Sequence, residues 1–291
     1  MTNKQENDYW GDNNRERKRL ASNHFIAKNA MNGKLVRAPV DFSRPCKILD
    51  SGTADGNYIP HHSNLGTWLL DLASSLSALP TNAHEYVGTD INPAPFPQST
   101  PPNVTFVVQD INKPWPSSQN GQFDLVHQRL ALIGAGPNPS AAVSHLYSVL
   151  KPNGWIQISE GTMNFPPEIV NKERTPAYSD MLQMMQSIAG VVGMEWHLGN
   201  ILKRLLEEAG FVDITEEDVT LNLGRTNKDE NLAKEGVESC VIAVESFSNF
   251  AKSKYSACLY PFLVNLCWPF GCNLSDNYVH RISTRKTDAA G

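Results

Sequence analysis

The chain has 291 residues, a formal net charge of −5, 41% hydrophobic and 19% charged residues. That balance describes a globular chain with room for one large domain and a cap, and it excludes a disordered polymer. The acidic excess leaves no electrostatic footprint for nucleic acid, and Cys46, Cys240, Cys258, Cys267 and Cys272 lack the paired short spacing of a disulfide framework or a zinc site.

Residues 1–14 are polar and carry no apolar export segment, so a cytoplasmic location with reduced thiols is expected. The basic run Arg15-Glu16-Arg17-Lys18-Arg19 precedes helix-compatible residues and reads as a solvated helix face rather than a targeting signal. Residues 15–45 are expected to be helical with a loop.

Lys47-Ile48-Leu49-Asp50-Ser51-Gly52-Thr53-Ala54-Asp55-Gly56 reads as a buried strand that ends in an acid and opens into a glycine-spaced turn. Such a turn lets a ligand approach the backbone at the carboxyl edge of a sheet. Glu85-Tyr86-Val87-Gly88-Thr89-Asp90 repeats the pattern, and Asp90 at its tip suits the two hydroxyls of a ribose. Charge-assisted hydrogen bonds of that kind contribute about 1.5–3 kcal/mol each. Val104 to Asp110 is a third strand closed by an acid, and Phe123 to Arg129 a fourth. Gly154 to Glu160 is a fifth, preceded by the turn Lys151-Pro152-Asn153-Gly154. Strands separated by helix-length segments imply parallel βαβ units.

On these residues the chain resembles the class I S-adenosylmethionine-dependent methyltransferases, and among them the fungal secondary-metabolite enzymes. Ile48 to Gly56 matches the family's first motif, Asp90 the ribose acid, Asp110 the residue near the adenine amine, and Leu150 to Trp155 the turn before the fifth strand. The resemblance spans roughly residues 15–250. It implies an α/β, Rossmann-like, doubly wound, mostly parallel seven-stranded sheet. It also implies an N-terminal helical lid in residues 1–45 and a catalytic domain in 46–291 with a cap around 161–200. The implied cofactor is S-adenosyl-L-methionine, held by Asp50, Gly52, Ala54, Gly56, Asp90, Ile91, Asp110, Ile111 and Gln128.

Two departures stand out. Ala54 replaces the family's middle glycine and adds a methyl group where backbone and ligand meet. Asn57 to Gly66 is inserted before the expected first helix, Thr67 to Leu72. A lid, a solvated loop and a gene-model error are the open readings of that insertion.

Downstream, Met181, Met184, Met185, Ile188 and Val192 recur near helical spacing, as core or as a pocket wall. Leu198 to Ala209 is an amphipathic helix that Gly210 stops, and Phe211 to Ile214 starts a sixth strand. Asn231 to Ala251 is helical, and Val279 to Thr284 is a last strand, expected to return antiparallel at the sheet edge. The apolar stretch Ala257 to Cys272 is interrupted by Pro261 and Pro269 and falls short of a membrane span.

Methyl transfer needs donor and acceptor in line, and good alignment supplies on the order of 7–11 kcal/mol. A base helps only where the acceptor must lose a proton. His24, His127, Glu160 and His197 are candidates, and His127 or His197 is the expected catalytic base. His61 and His62 are adjacent rather than four apart, so no metal is implied. The expected reaction is methyl transfer to O, N or S of a small, hydrophobic metabolite, with a small-molecule substrate as the partner and the oligomeric state open. A methyltransferase fold without methyl transfer (a cyclase, an isomerase or a regulatory binding protein) is the alternative. A nucleotide-dependent oxidoreductase shares the glycine-turn logic, but its pocket is fitted less well by the acids of the first and third strands.

Overall fold

The computed structural model describes residues 13–53, 68–78, 83–93, 96–97, 99–162, 173, 176–255 and 277–286. Seven strands form its sheet: β1 (Lys47–Ser51), β2 (Glu85–Asp90), β3 (Val104–Val108), β4 (Phe123–Arg129), β5 (Leu150–Gly161), β6 (Phe211–Leu221) and β7 (Asn277–Lys286). Their order is β3-β2-β1-β4-β5-β7-β6. β1 pairs in parallel with β2 and β4, as do β2 with β3 and β4 with β5. β7 runs antiparallel to both neighbours. The chain winds outward from β1 through β2 to β3, then returns to start the other half at β4. The β1–β4 boundary is therefore the topological switch point, where open α/β sheets bind ligands.

Alternate residues of a strand face opposite sides of the sheet, and both sides are covered here. Leu49, Val126, Ile156 and Ile158 pack against α3 (Pro139–Val149) and α5 (Leu198–Glu208). Ile48 and Leu125 pack on the other side against Trp68, Leu69, Leu70 and Leu72 of α2 (Trp68–Leu76). This double burial explains why β1 and β4 read as almost continuous apolar runs. Leu198, Leu202, Leu205 and Leu206 form the buried stripe of α5. Gly210 ends that helix with φ +94°, its N–H donating to Glu207 O at 3.0 Å.

A separate cluster joins α1 (Asn13–Ala30), α4 (Pro176–Val192) and α6 (Glu230–Tyr255). Ile26, Tyr178, Met181, Met184, Ile188, Leu232 and Val244 are buried together there, with Met185 packed against them. Four members of the methionine stripe thus belong to this core. Arg15 and Lys18 each meet a carboxylate of α6 at 2.8 Å, Glu245 and Glu238, while Arg19 pairs with Glu16. These exposed pairs with α6 contribute little individually. They do place the basic run on a helix face.

The length of β6 and the placement of β7 differ from the local pattern. β6 continues to Leu221 through Glu216, Glu217 and Asp218, because β7 supplies backbone partners from Thr215 onward, after a register shift between Val212 and Thr215. β7 does not lie at the sheet edge: it inserts between β5 and β6, leaving β6 outermost. Cross-strand pairing decides such placement, and polar side chains on β7 conceal it. No described helix is long and apolar enough to cross a membrane. The insertion at 57–66 and the apolar stretch 257–272 lie outside the described residues.

Candidate functional site

The carboxyl ends of β1, β2 and β4 build the site. After β1 the chain turns at Gly52, with φ +71°. The N–H groups of Gly52 and Thr53 both donate to Thr89 O at 2.8 Å, tying the turn to β2. A Cβ on Gly52 would stand 2.5 Å from Ala131 Cβ, so the loop after β4 already occupies the space beside the turn. Gly52→Ala therefore combines left-handed strain with overlap, and it is expected to cost about 2 kcal/mol of stability. A melting temperature equal to wild type would show that the turn relaxes freely.

Asp50 organises this turn. Its Oδ2 accepts from Thr53 Oγ1 at 2.7 Å, and its Oδ1 bonds His127 Nδ1 at 2.7 Å. His127 is buried, and its ring stacks on Trp68 with centroids 3.7 Å apart and planes 8° from parallel. Trp68 Nε1 in turn donates to Leu35 O, which also accepts from Gln157 Nε2. The segment after α1 is thereby pinned over α2 and β5. His127 lies sealed inside this assembly, whereas His197 is exposed at the start of α5, its N–H donating to Glu195 Oε1 at 2.8 Å. The two candidate bases therefore stand in different surroundings, His127 enclosed and His197 open to solvent.

The acids of the second and third strands stand on the same edge as Gly52. Asp90 ends β2, and its Oδ1 accepts from Asn92 N at 3.0 Å. Ile91, Val107 and Val108 beside it are large apolar side chains left exposed. Asp110 forms a similar turn, accepting from Asn112 N at 2.9 Å, and Asn112 Nδ2 donates across to Gly134 O. Ile111 is half-buried against the core. Gln109 N donates to Asp90 O at 3.0 Å, which joins the two acidic turns.

Gln128 and Ser51 are paired in register on neighbouring strands, so their side chains share one face. Both are buried, and Ser51 Oγ and both amide atoms of Gln128 have no hydrogen-bond partner. An unsatisfied buried polar group costs about 1–3 kcal/mol, so its presence calls for a ligand or water. Ala54 and Gly56, from the same expected set, lie outside the described residues.

Two charged groups complete the edge. Glu160, at the end of β5, is buried, and its Oε1 accepts from Leu132 N at 2.9 Å and Ala131 N at 3.1 Å. Burial pushes its carboxyl up to about 7, against the opposing pull of those two N–H groups. Arg129, at the end of β4, donates from Nη2 to His24 Nδ1 at 3.4 Å, and its Nη1 has no partner. Sequence reading treated Arg129 only as the end of a strand. Its signal was the same as that of the acids, a charge closing an apolar run, but with the opposite sign. Among the described residues no cluster of three or more His, Cys, Asp or Glu side chains is arranged to hold a metal.

Residues 22–216 match the family model described as a methyltransferase domain. The chain is 36% identical over 221 residues to the N-methyltransferase sirN of Leptosphaeria maculans, covering 75% of this chain and 70% of that protein. It is 34% identical over 247 residues to the N-methyltransferase tcpN of Claviceps purpurea, covering 82% and 81%. Among solved structures, a chain from the complex of the Haloferax volcanii Trm112 methyltransferase activator with its partner aligns with a TM-score of 0.53. That alignment covers 97% of both chains at 14% identity, a likeness of fold alone.

Proposed function

The chain belongs to the class I S-adenosylmethionine-dependent methyltransferases, and from that premise we propose that it methylates a nitrogen of a small, apolar metabolite. The observation that carries the reading is the β1–β4 switch point, where orphaned polar atoms of Ser51 and Gln128 stand beside the Gly52 turn. Partners for such atoms are what a bound polar ligand supplies. Support for nitrogen as the acceptor comes from two relatives that are named N-methyltransferases.

The residues present fit the cofactor. Asp90 holds the ribose hydroxyls, while exposed Ile91 and Val108 offer an apolar bed for adenine next to Asp110 and Ile111. Gly52 and Asp50 shape the turn at the amino-acid end, and Gln128 lies alongside. S-adenosylmethionine, when bound, supplies an activated methyl group on a sulfonium. α1 serves as the lid over this edge, and α4 as part of the cap over the acceptor. His127 braces Asp50 rather than meeting an acceptor, since its ring is enclosed by Trp68 and the sheet. His197 is the accessible base.

Two measurements test this. Calorimetry should detect adenosylmethionine and adenosylhomocysteine but not nicotinamide cofactors. A panel of amides, phenols and thiols on one apolar scaffold should show adenosylhomocysteine release with the nitrogen acceptors. Release with phenols or thiols alone would overturn the choice of nitrogen. His197→Ala should lower turnover about a hundredfold, the usual scale of general-base help, with cofactor affinity unchanged. Unaltered turnover in that variant would leave alignment alone to account for the rate.

A further inference from the structure

Arg129 carries a charge that its protein partners do not account for. It sits at the carboxyl end of β4, two residues after His127, on the same face of the strand. Asp50 is close enough to attract the guanidinium, but both Asp50 oxygens are already engaged by Thr53 and His127. Nη1 is shielded from solvent and has no hydrogen-bond partner. Such a group is costly unless something completes it.

What does contact Arg129 is neutral and held in place. His24 Nε2 bonds Asp71 Oδ2 at 2.9 Å, and Lys28 Nζ holds both oxygens of the same carboxylate at 2.8 and 3.0 Å. Burial lowers the pKa of His24, keeping the ring uncharged, while the hydrogen bond to Asp71 opposes that shift. Burial pushes the Asp71 carboxyl up, but its bonds from His24 and Lys28 outweigh this and keep it ionised. The proton of His24 therefore lies on Nε2, and Nδ1 accepts from Arg129 Nη2 at 3.4 Å. A neutral acceptor orients the guanidinium without cancelling its charge. The brace runs from α2 through α1 to β4, and the charge it leaves open stands beside the Gly52 turn.

We infer that Arg129 is a carboxylate receptor whose occupant is the amino-acid carboxylate of S-adenosylmethionine, with Asp71 and His24 as its positioning residues. The inference rests on the cofactor reading of the site and adds to it the group that reads the methionine end. A carboxylate on the acceptor is the other source of the same chemistry. The position beside Asp50 and Gly52 favours the cofactor.

The test uses the full chain, with adenosylhomocysteine and 5′-methylthioadenosine as probes. The second shares the adenosine and thioether but lacks the amino acid. Arg129→Gln should weaken adenosylhomocysteine by roughly ten- to a hundredfold, the loss of one charge-assisted bond, and leave methylthioadenosine within about twofold. Arg129→Lys keeps the charge without the fork, so it should show a smaller loss confined to adenosylhomocysteine, and it carries the test if Arg129→Gln does not fold. His24→Leu should also weaken adenosylhomocysteine selectively, which a packing role would not do. Equal weakening of both ligands, or unchanged adenosylhomocysteine affinity, overturns the inference; the latter assigns the guanidinium to the acceptor side. Wild-type protein that binds neither probe would instead sink the cofactor reading itself.

Discussion

Asp90→Ala is expected to lower affinity for S-adenosylmethionine by roughly a hundredfold to ten-thousandfold, the loss of two charge-assisted hydrogen bonds at about 1.5–3 kcal/mol each. The carboxylate ends β2 on the edge where Gly52 and Thr53 bond Thr89 O, one residue away. Within the protein its Oδ1 accepts from Asn92 N at 3.0 Å, so any loss of fold must be read separately from loss of the site. Asp90→Asn keeps the shape and one good acceptor and should fall between wild type and Ala. Calorimetry with adenosylhomocysteine, paired with thermal melts, separates the two effects. Affinity within twofold of wild type at an unchanged melting temperature would place the ribose elsewhere.

The second large effect is a pH-dependent gain in stability. The Glu160 carboxyl is raised to about 7 by burial, partly opposed by its bonds from Leu132 N and Ala131 N. A carboxyl raised on folding favours the folded state while it is protonated. That contribution is complete below the unfolded value near 4.5 and is lost as pH rises through about 7. Between pH 5 and pH 8 the wild-type chain should lose roughly 2–3 kcal/mol on account of this one group. Glu160→Gln keeps an oxygen to accept from both N–H groups and cannot ionise. Its denaturation midpoint should approach that of wild type at pH 5 and exceed it clearly at pH 8. A constant difference across that range would mean that Glu160 titrates normally. Glu160 stands at the carboxyl edge, so turnover measured alongside would show whether the strain serves the reaction. An active, more stable variant at pH 8 would make Glu160 purely structural.

The sequence alone was enough to find the strands and their acidic ends, because those signals are local. A buried strand, a terminal acid and a turn are contiguous in Lys47 to Gly52, in Glu85 to Asp90 and in Val104 to Asp110, so chain order was sufficient to find them. Gly210 was legible for the same reason: a left-handed stop directly follows the helix it ends. The tertiary structure alone decided what depends on partners distant in sequence. His127 reads as a free base until Asp50, 77 residues earlier, and Trp68 enclose it. His24, Asp71 and Arg129 are unremarkable in their own segments and become one chain of contacts only when α1, α2 and β4 meet. β7 enters the sheet between β5 and β6 through backbone pairing that its own polar side chains do not announce. The pKa of Glu160 follows from burial, which is a property of everything packed around it. Short-range pattern determines which elements form and where their ends lie. Charge state, tautomer and hydrogen-bond partners at those ends are set by neighbours that the folded chain brings from far away.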